Sequence, residues 1–370
     1  MNKFYVIDLF SGCGGSAWGF REAGFVIKGF VEIDGIARTS FHENFPKATE
    51  AIPGDITLLR GRKLNDFLKK LNIDKEKTII LACPPCQGFS TARRRNQRIL
   101  DSRNMLIFDF VRLIKKIRPI AFVMENVPGL AKGIGHSIFE EAMLMLSDMG
   151  YNMTDPKVLE VVNYGVPQKR KRLVIIGTRA KNLKLVLPEP THQNPNSHNQ
   201  KLPPWETVRH AISNLPFISA GEKNNADPLH ISANLSKINL TRLKYTPHNG
   251  GNRMSWPLRL WLKCHKKLKK LKIEGYKDIY GRMWWDAPSS TITGGCAMIT
   301  KGRFGHPEQN RAISLREAAR LQTFPDNFIF TGTFGKIAEQ IGNAVPPLFA
   351  ERIANSLMMQ LGKRERIKQK

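Results

Sequence analysis

The sequence predicts an α/β protein, a doubly wound and mostly parallel sheet with a second, smaller domain set into the chain. Three observations carry this. Short apolar runs alternate with amphipathic stretches through the first half of the chain. Polar residues fall just beyond the ends of those runs, where open parallel sheets bind ligands. After Arg179 the alternation stops, and the composition turns proline-rich and then basic.

The elements follow in order. Apolar runs predict strands at residues 4–10, 25–31, 78–82, 120–125, 158–162 and 173–177. Helices are expected between them at 16–23, 35–44, 64–71, 105–117 and 137–149. In the fourth, Leu106, Phe110, Leu113 and Ile117 recur at helical spacing. Residues 188–204 are polar, proline-rich and aperiodic, as a linker or long loop is. The stretch beyond, to about residue 286, is basic and carries Trp205, Trp256, Trp261, Trp284 and Trp285. A helical pattern returns at 314–323 and again after Pro346. The expected division is a first domain at 1–187, a second at 188–310, a hinge with an organising helix at 311–335, and a segment at 336–370 that returns to the first domain.

Composition narrows the function classes. With 58 Lys+Arg against 31 Asp+Glu among 370 residues, the formal charge is +27, which points to a polyanion such as nucleic acid. A hydrophobic content of 41% suits a buried core and excludes a mostly disordered chain. No apolar run reaches the roughly 18 residues of a spanning helix. The start lacks the apolar core and cleavage site of a signal peptide, so a cytoplasmic protein without a membrane partner is expected. The five cysteines, Cys13, Cys83, Cys86, Cys264 and Cys296, are odd in number and scattered, unlike a disulfide framework.

Four blocks could carry chemistry. The first, Asp8-Leu-Phe-Ser-Gly-Cys-Gly-Gly15, reads as strand, glycine-rich turn and helix start. Glu32 closes the next strand about 20 residues on, where an acid commonly binds ribose hydroxyls. The spacing Gly12-x-Gly14-x-x-Ala17 leaves NAD and other nucleoside cofactors open at this point. The second, Leu81-Ala-Cys-Pro-Pro-Cys-Gln-Gly-Phe-Ser90, holds Cys83 and Cys86 as a C-x-x-C, which suits a redox pair or half a zinc site. No second pair with ligand spacing accompanies it, and no metal is expected. A lone nucleophilic thiolate at Cys86, with Cys83 buried in the strand, is the better reading. In the third, Met124-Glu-Asn-Val-Pro128, a strand-end carboxyl among apolar neighbours tends toward a raised pKa and proton donation. The fourth, Gln168-Lys-Arg-Lys-Arg172, runs into a strand whose alternation would aim Arg170 and Arg172 to one side. Two arginines there suit a carboxylate, a phosphate or a base edge.

In this order the blocks resemble the bacterial-type DNA (cytosine-5) methyltransferases of restriction–modification systems. The match continues with Arg316-Glu-Ala-Ala-Arg-Leu-Gln-Thr-Phe-Pro325 and Gln340-Ile-Gly-Asn-Ala-Val-Pro346. The resemblance implies a Rossmann-like fold that uses S-adenosyl-L-methionine, held by Phe10, Gly12, Gly14, Glu32, Asp55, Pro84, Leu106 and Asn343. It implies that Cys86 adds to a flipped cytosine of double-stranded DNA, with Glu125, Arg172 and Arg170 around the base. Residues 188–297 fall where that family keeps its target-recognition domain. Arg253, Arg282 and Thr291 there, and Arg93 and Arg95 after Cys86, are the candidate DNA contacts. A monomer is expected, with a cognate restriction endonuclease as functional partner. The alternative is the tRNA-modifying branch of the same fold, against which the long insert before Arg316 argues.

Overall fold

The computed structural model describes residues 3–85, 102–131, 134–198, 201–270 and 278–368. The chain forms two compact units. The first comprises Met1–Tyr164, Lys171–Pro190 and Val345–Lys370, the second Gly165–Arg170 and Thr191–Ala344. The borders at 190 and 345 thus differ from those read in the sequence at 187 and 336, and the stretch 165–170 belongs to the second unit.

Among the described residues the strands are β1 (Tyr5–Leu9), β2 (Val26–Val31), β3 (Thr49–Glu50), β4 (Thr78–Ala82), β5 (Ala121–Asn126), β6 (Asn152–Met153), β7 (Lys157–Glu160) and β8 (Lys171–Thr178). The helices are α1 (Gly15–Glu22), α2 (Gly35–Asn44), α3 (Gly61–Leu71), α4 (Leu106–Ile117), α5 (Ile134–Asp148), α6 (Val208–Ile212), α7 (Lys237–Lys244), α8 (Lys263–Lys270), α9 (Leu315–Leu321), α10 (Phe334–Asn343) and α11 (Pro347–Lys368).

All the strands lie in the first unit, in the order β3-β2-β1-β4-β5-β8-β6, with β7 also on β8. Strands β1 to β5 pair in parallel, whereas β8 runs antiparallel to β5, β6 and β7. Central strands of such a sheet are covered on both faces and need unbroken apolar runs. Ile79, Ile80 and Leu81 in β4 and Phe122, Val123 and Met124 in β5 supply them. Helix α4 buries Ile107, Phe110, Val111, Ile114 and Ile117 along one stripe, and α11 packs on α1. Strands β3 and β6, two residues each, are too short to show alternation in sequence. The expected strand at 158–162 ends at Glu160, and the chain turns into a 3-10 helix at Val161–Tyr164.

The second unit is mostly irregular, with a core of Leu243, Trp256, Leu260, Trp261, Tyr280, Ile299 and Ala312. Helix α10, which the sequence reading missed, is capped by Thr333 and buries Ala338 and Ile341. Much of this unit is tied by buried arginines. Arg282, read in the sequence as a base contact, is fully buried. Its guanidinium donates to the carbonyls of Thr246, Leu243 and His306 at 3.1, 2.9 and 2.9 Å, and to Asn310 Oδ1 at 2.6 Å. A guanidinium whose donors are used in this way joins loops and has no reach for a base edge. Burial lowers its pKa to about 10. Arg253, the other arginine proposed as a base contact, is likewise buried, and desolvation lowers its pKa. Neither expectation holds.

Candidate active site

In an open α/β sheet the ligand crevice lies beyond the carboxyl ends of the strands, where the strand order reverses. Here the reversal falls between β1 and β4, whose last residues, Leu9 and Ala82, are in register. Along that edge of the first unit lie the turn after β1, Glu32 after β2, Cys83-Pro84-Pro85 after β4, and Glu125 and Asn126 at the end of β5. Arg172 joins them because antiparallel β8 starts where β5 ends, with Asn126 opposite Leu173.

The turn after β1 is left-handed at Phe10, Gly12 and Gly14, with φ of 61°, 54° and 99°. Gly14 opens α1 without a side-chain cap, and a Cβ there would meet the Phe45 ring at 2.7 Å. Glu32 locks this turn. Its Oε2 accepts from the Gly12 N–H at 2.7 Å and its Oε1 from the Asp34 N–H at 2.8 Å. A carboxylate offers about four acceptor positions, so roughly two are left for a ligand. Burial raises the Glu32 pKa, and the backbone N–H groups around it oppose that rise. Behind the turn, Asp8 is fully buried and desolvation pushes its carboxyl well above the usual range. Ser16 Oγ donates to one of its oxygens at 3.3 Å.

The loop carrying Asp55 comes close to Glu32, for a Cβ on Gly54 would meet the Glu32 carbonyl at 2.1 Å. Asp55 Oδ1 accepts from Thr57 N and Oγ1 at 2.9 and 2.8 Å. Sequence reasoning missed Ile33, an apolar side chain 68% exposed directly after Glu32. Its backbone is fixed, since Arg38 donates to the carbonyls of Glu32 and Ile33, both at 3.1 Å. An apolar residue immediately after a strand-end acid was the signal available. Leu106 opens α4 half-buried, and the Pro84 carbonyl accepts from Asn126 Nδ2 at 3.0 Å.

On the other side of the edge, Arg172 Nε pairs with the Glu125 carboxylate, their side chains being 12% and 10% exposed. The Cys83 thiol is pushed well above its ordinary pKa by burial and by the nearby Glu125 and Asp8 carboxyls. Cys86, Arg93 and Arg95 lie outside the described residues, which stop at Pro85. Arg170 lies outside the strand that carries Arg172. It precedes β8, so the strand alternation does not apply to it. It is buried in the second unit, where it donates to the carbonyls of Ile292 and Gly342 at 2.9 and 3.1 Å. The expectation of a catalytic Arg170 gives way to a structural tie. Thr291 and Asn343 also lie in the second unit, and both are exposed. Thr291 Oγ1 donates to the Lys169 carbonyl at 2.8 Å.

Residues 4–359 match the family model for C-5 cytosine-specific DNA methylase. The chain belongs to that family. It is 35% identical over 356 residues to the type II methylase M.HgiDII of Herpetosiphon aurantiacus, covering 95% of this chain and 94% of the relative. To the type II methyltransferase M1.HphI of Haemophilus parahaemolyticus it is 35% identical over 353 residues, covering 95% and 86%. Among solved structures it is similar to an E. coli protein described as a prophage-encoded DNA modification methyltransferase, with TM-score 0.73, 27% identity, and coverage of 97% and 99%. The enzyme is thus a DNA (cytosine-5-)-methyltransferase with the α/β fold of S-adenosylmethionine-dependent methyltransferases. No helix among the described residues is long and apolar enough to cross a membrane.

Proposed function

We propose that the enzyme methylates carbon 5 of a cytosine flipped out of a specific duplex DNA sequence, through a transient Cys86 adduct, as the protective half of a restriction–modification system. The observation that carries this reading is the Glu125–Arg172 pair on the same strand-end edge as the Glu32-locked turn and the Pro84-Pro85 exit toward Cys86. The type II names of the relatives support the restriction–modification role.

The residues beyond β1 and β2 fit S-adenosylmethionine. Glu32 has acceptor capacity left for ribose hydroxyls, Asp55 lies beside it for an amino group, and Phe10 and Ile33 offer apolar surface for the base. When bound, that cofactor supplies an electrophilic methyl group. The chain supplies the rest. Carbon 5 of cytosine is a poor nucleophile until a thiolate adds at carbon 6 and makes it enamine-like. Cys86 Sγ forms that bond and Arg172 holds O2, while Glu125, parted from Arg172 and protonated from solvent, donates its proton at N3 and takes it back when the thiolate leaves. Once carbon 5 carries the methyl group, its proton leaves to a base, the carbon–sulfur bond breaks, and the double bond returns. A base stacked in the duplex cannot meet a thiolate from above its ring, so the cytosine must be flipped. The flipped base displaces Arg172 from its place on Glu125, so the two side chains are kept paired until the base arrives.

Sequence reading we assign to the second unit, because the catalytic edge meets only the flipped base. In that unit Lys263 and Lys266 on α8 are exposed and able to follow phosphates.

The test is methyl transfer from labelled S-adenosylmethionine to unmethylated duplex DNA and to tRNA, with methylation-sensitive sequencing of the DNA. The expected product is 5-methylcytosine in one sequence context. Label in tRNA alone would overturn the reading. A second expectation concerns the cofactor. Charge-assisted hydrogen bonds contribute about 1.5–3 kcal/mol each. Glu32→Ala should therefore weaken S-adenosylmethionine binding about tenfold or more by calorimetry, with duplex affinity retained. Unchanged cofactor affinity would move the ribose contact elsewhere.

A further inference from the structure

Four tryptophans of the second unit divide into two kinds. Trp256, Trp261 and Trp285 are buried, and each indole N–H has an acceptor: Thr246 Oγ1 at 2.8 Å, the Trp256 carbonyl at 2.9 Å and Glu308 Oε1 at 2.6 Å. Trp284 differs on both counts. It is 44% exposed, and among the described residues its N–H has no acceptor. Exposure here does not mean a loose side chain. The Arg303 guanidinium lies over the ring, 4.0 Å from its centroid. Arg303 is itself held by Asp278 at 2.9 Å and by the carbonyls of Gly250 and Arg282 at 2.8 and 2.9 Å. At Gly250, with φ of 97°, a Cβ would meet the indole nitrogen at 1.8 Å, so the indole occupies the space a side chain would fill. The fold thus holds a partly exposed aromatic side chain in place.

An indole held in this way is suited to a nucleotide. In a duplex the base faces are stacked on one another, but deoxyribose offers apolar surface and every phosphate, sugar and base edge offers acceptors, so one aromatic side chain with an N–H meets both needs. Fixing the ring beforehand removes the ordering cost that a mobile side chain would incur on binding. We infer that Trp284 is a DNA-contacting residue, packing its exposed indole on a nucleotide and donating its N–H to an acceptor of the duplex. The inference rests on the proposal that the second unit binds DNA. Because the contact carries no charge, it adds affinity without adding to the salt dependence.

The experiment compares wild type, Trp284→Ala, Trp284→Phe and the double variant Lys263→Glu/Lys266→Glu. Each is titrated with a duplex carrying the mapped methylation sequence at several salt concentrations, and each melting temperature is measured. Trp284→Ala should weaken binding about tenfold, the scale of one lost aromatic anchor at an interface. Its salt slope should match wild type, its melting temperature should fall by too little to account for the lost binding, KM for DNA should rise, and kcat should be retained. Trp284→Phe keeps a ring but loses the donor, and its affinity should fall between the two. Unchanged affinity in Trp284→Ala, with weaker and less salt-dependent binding in the lysine variant, would overturn the role of Trp284 and leave the second unit as the DNA-binding unit. No change in any variant would overturn that assignment as well. A fall in melting temperature that accounts for the lost binding in both Trp284 variants would make the residue structural and overturn the inference.

Discussion

Cys86→Ser is expected to abolish methyl transfer while duplex binding persists, and Cys83→Ser is expected to retain most activity. A serine hydroxyl is a far weaker nucleophile toward carbon 6 than a thiolate, and removing a nucleophile outright costs on the order of a thousandfold or more in kcat. The two cysteines are two prolines apart in sequence, so position alone barely separates them. Their environments do. The thiolate is the reactive form, and Cys83 is driven away from it by burial and by the Glu125 and Asp8 carboxyls. Expected as a buried strand residue, it instead lies one residue past β4 and is half-buried, though its N–H still bonds to the Leu9 carbonyl at 3.3 Å. Duplex DNA containing 5-fluorocytosine supplies the decisive assay. Fluorine at carbon 5 cannot leave as a proton does, so elimination fails and the carbon–sulfur adduct stays. Wild type and Cys83→Ser should give a band stable to denaturing electrophoresis, and Cys86→Ser none. An adduct that disappears with Cys83 instead would transfer the nucleophile to that residue.

What the sequence disclosed depended on how local the physics was. The strand-end acids Glu32 and Glu125 were legible because an apolar run stops at a carboxylate, and both lie at the sheet edge. Arg172 was legible from strand alternation, being the second residue of β8. Arg170 was not, because strand alternation holds only inside a strand and β8 begins one residue later. In the second unit, periodicity gave almost nothing. Its segments are joined by side chains reaching across long stretches of chain, as when Gln168 Nε2 donates to Gln322 Oε1 at 2.7 Å. A buried arginine such as Arg282 then reads in sequence like a surface one, since its partners are backbone carbonyls that any residue could provide. Trp284 and Trp285 make the same point as neighbours in sequence with opposite fates. Burial of Trp285 is set by Glu308 and His306, and exposure of Trp284 by Gly250 and Arg303.

Glu317→Gln is expected to cost the second unit about 3–5 kcal/mol, the scale for breaking a buried ion pair by removing one partner. Arg311 and Glu317 are both fully buried, and the two guanidinium nitrogens Nη1 and Nη2 each donate to a carboxylate oxygen at 2.7 Å. The same carboxylate accepts the Ser314 N–H at 2.7 Å while Ser314 Oγ accepts the Glu317 N–H at 3.0 Å, a reciprocal cap on α9. The amide of a glutamine can replace one acceptor and leaves the arginine charge without compensation. Acid should act on the same cluster. His306 Nδ1 accepts from the N–H groups of Glu308 and Gln309 at 3.2 and 2.9 Å, so the folded imidazole is neutral. Burial lowers its pKa from 6.5 to about 4. Below pH 6.5 the unfolded chain therefore takes up a proton that the folded one refuses. Stability is fully present above that pH, is lost as pH falls toward 4, and changes no further from this group below it. Two and a half pH units at 1.36 kcal/mol each amount to about 3 kcal/mol. The Arg311 charge and hydrogen bonds hold the Glu317 pKa below its ordinary value, so its contribution is lost in the same direction at still lower pH. Denaturant midpoints measured between pH 7 and pH 4 check both expectations. Wild type should become steadily less stable on acidification, and His306→Asn, whose Oδ1 can still accept the two N–H groups, should show a shallower slope. Equal slopes in the two proteins would show that His306 does not carry the acid sensitivity.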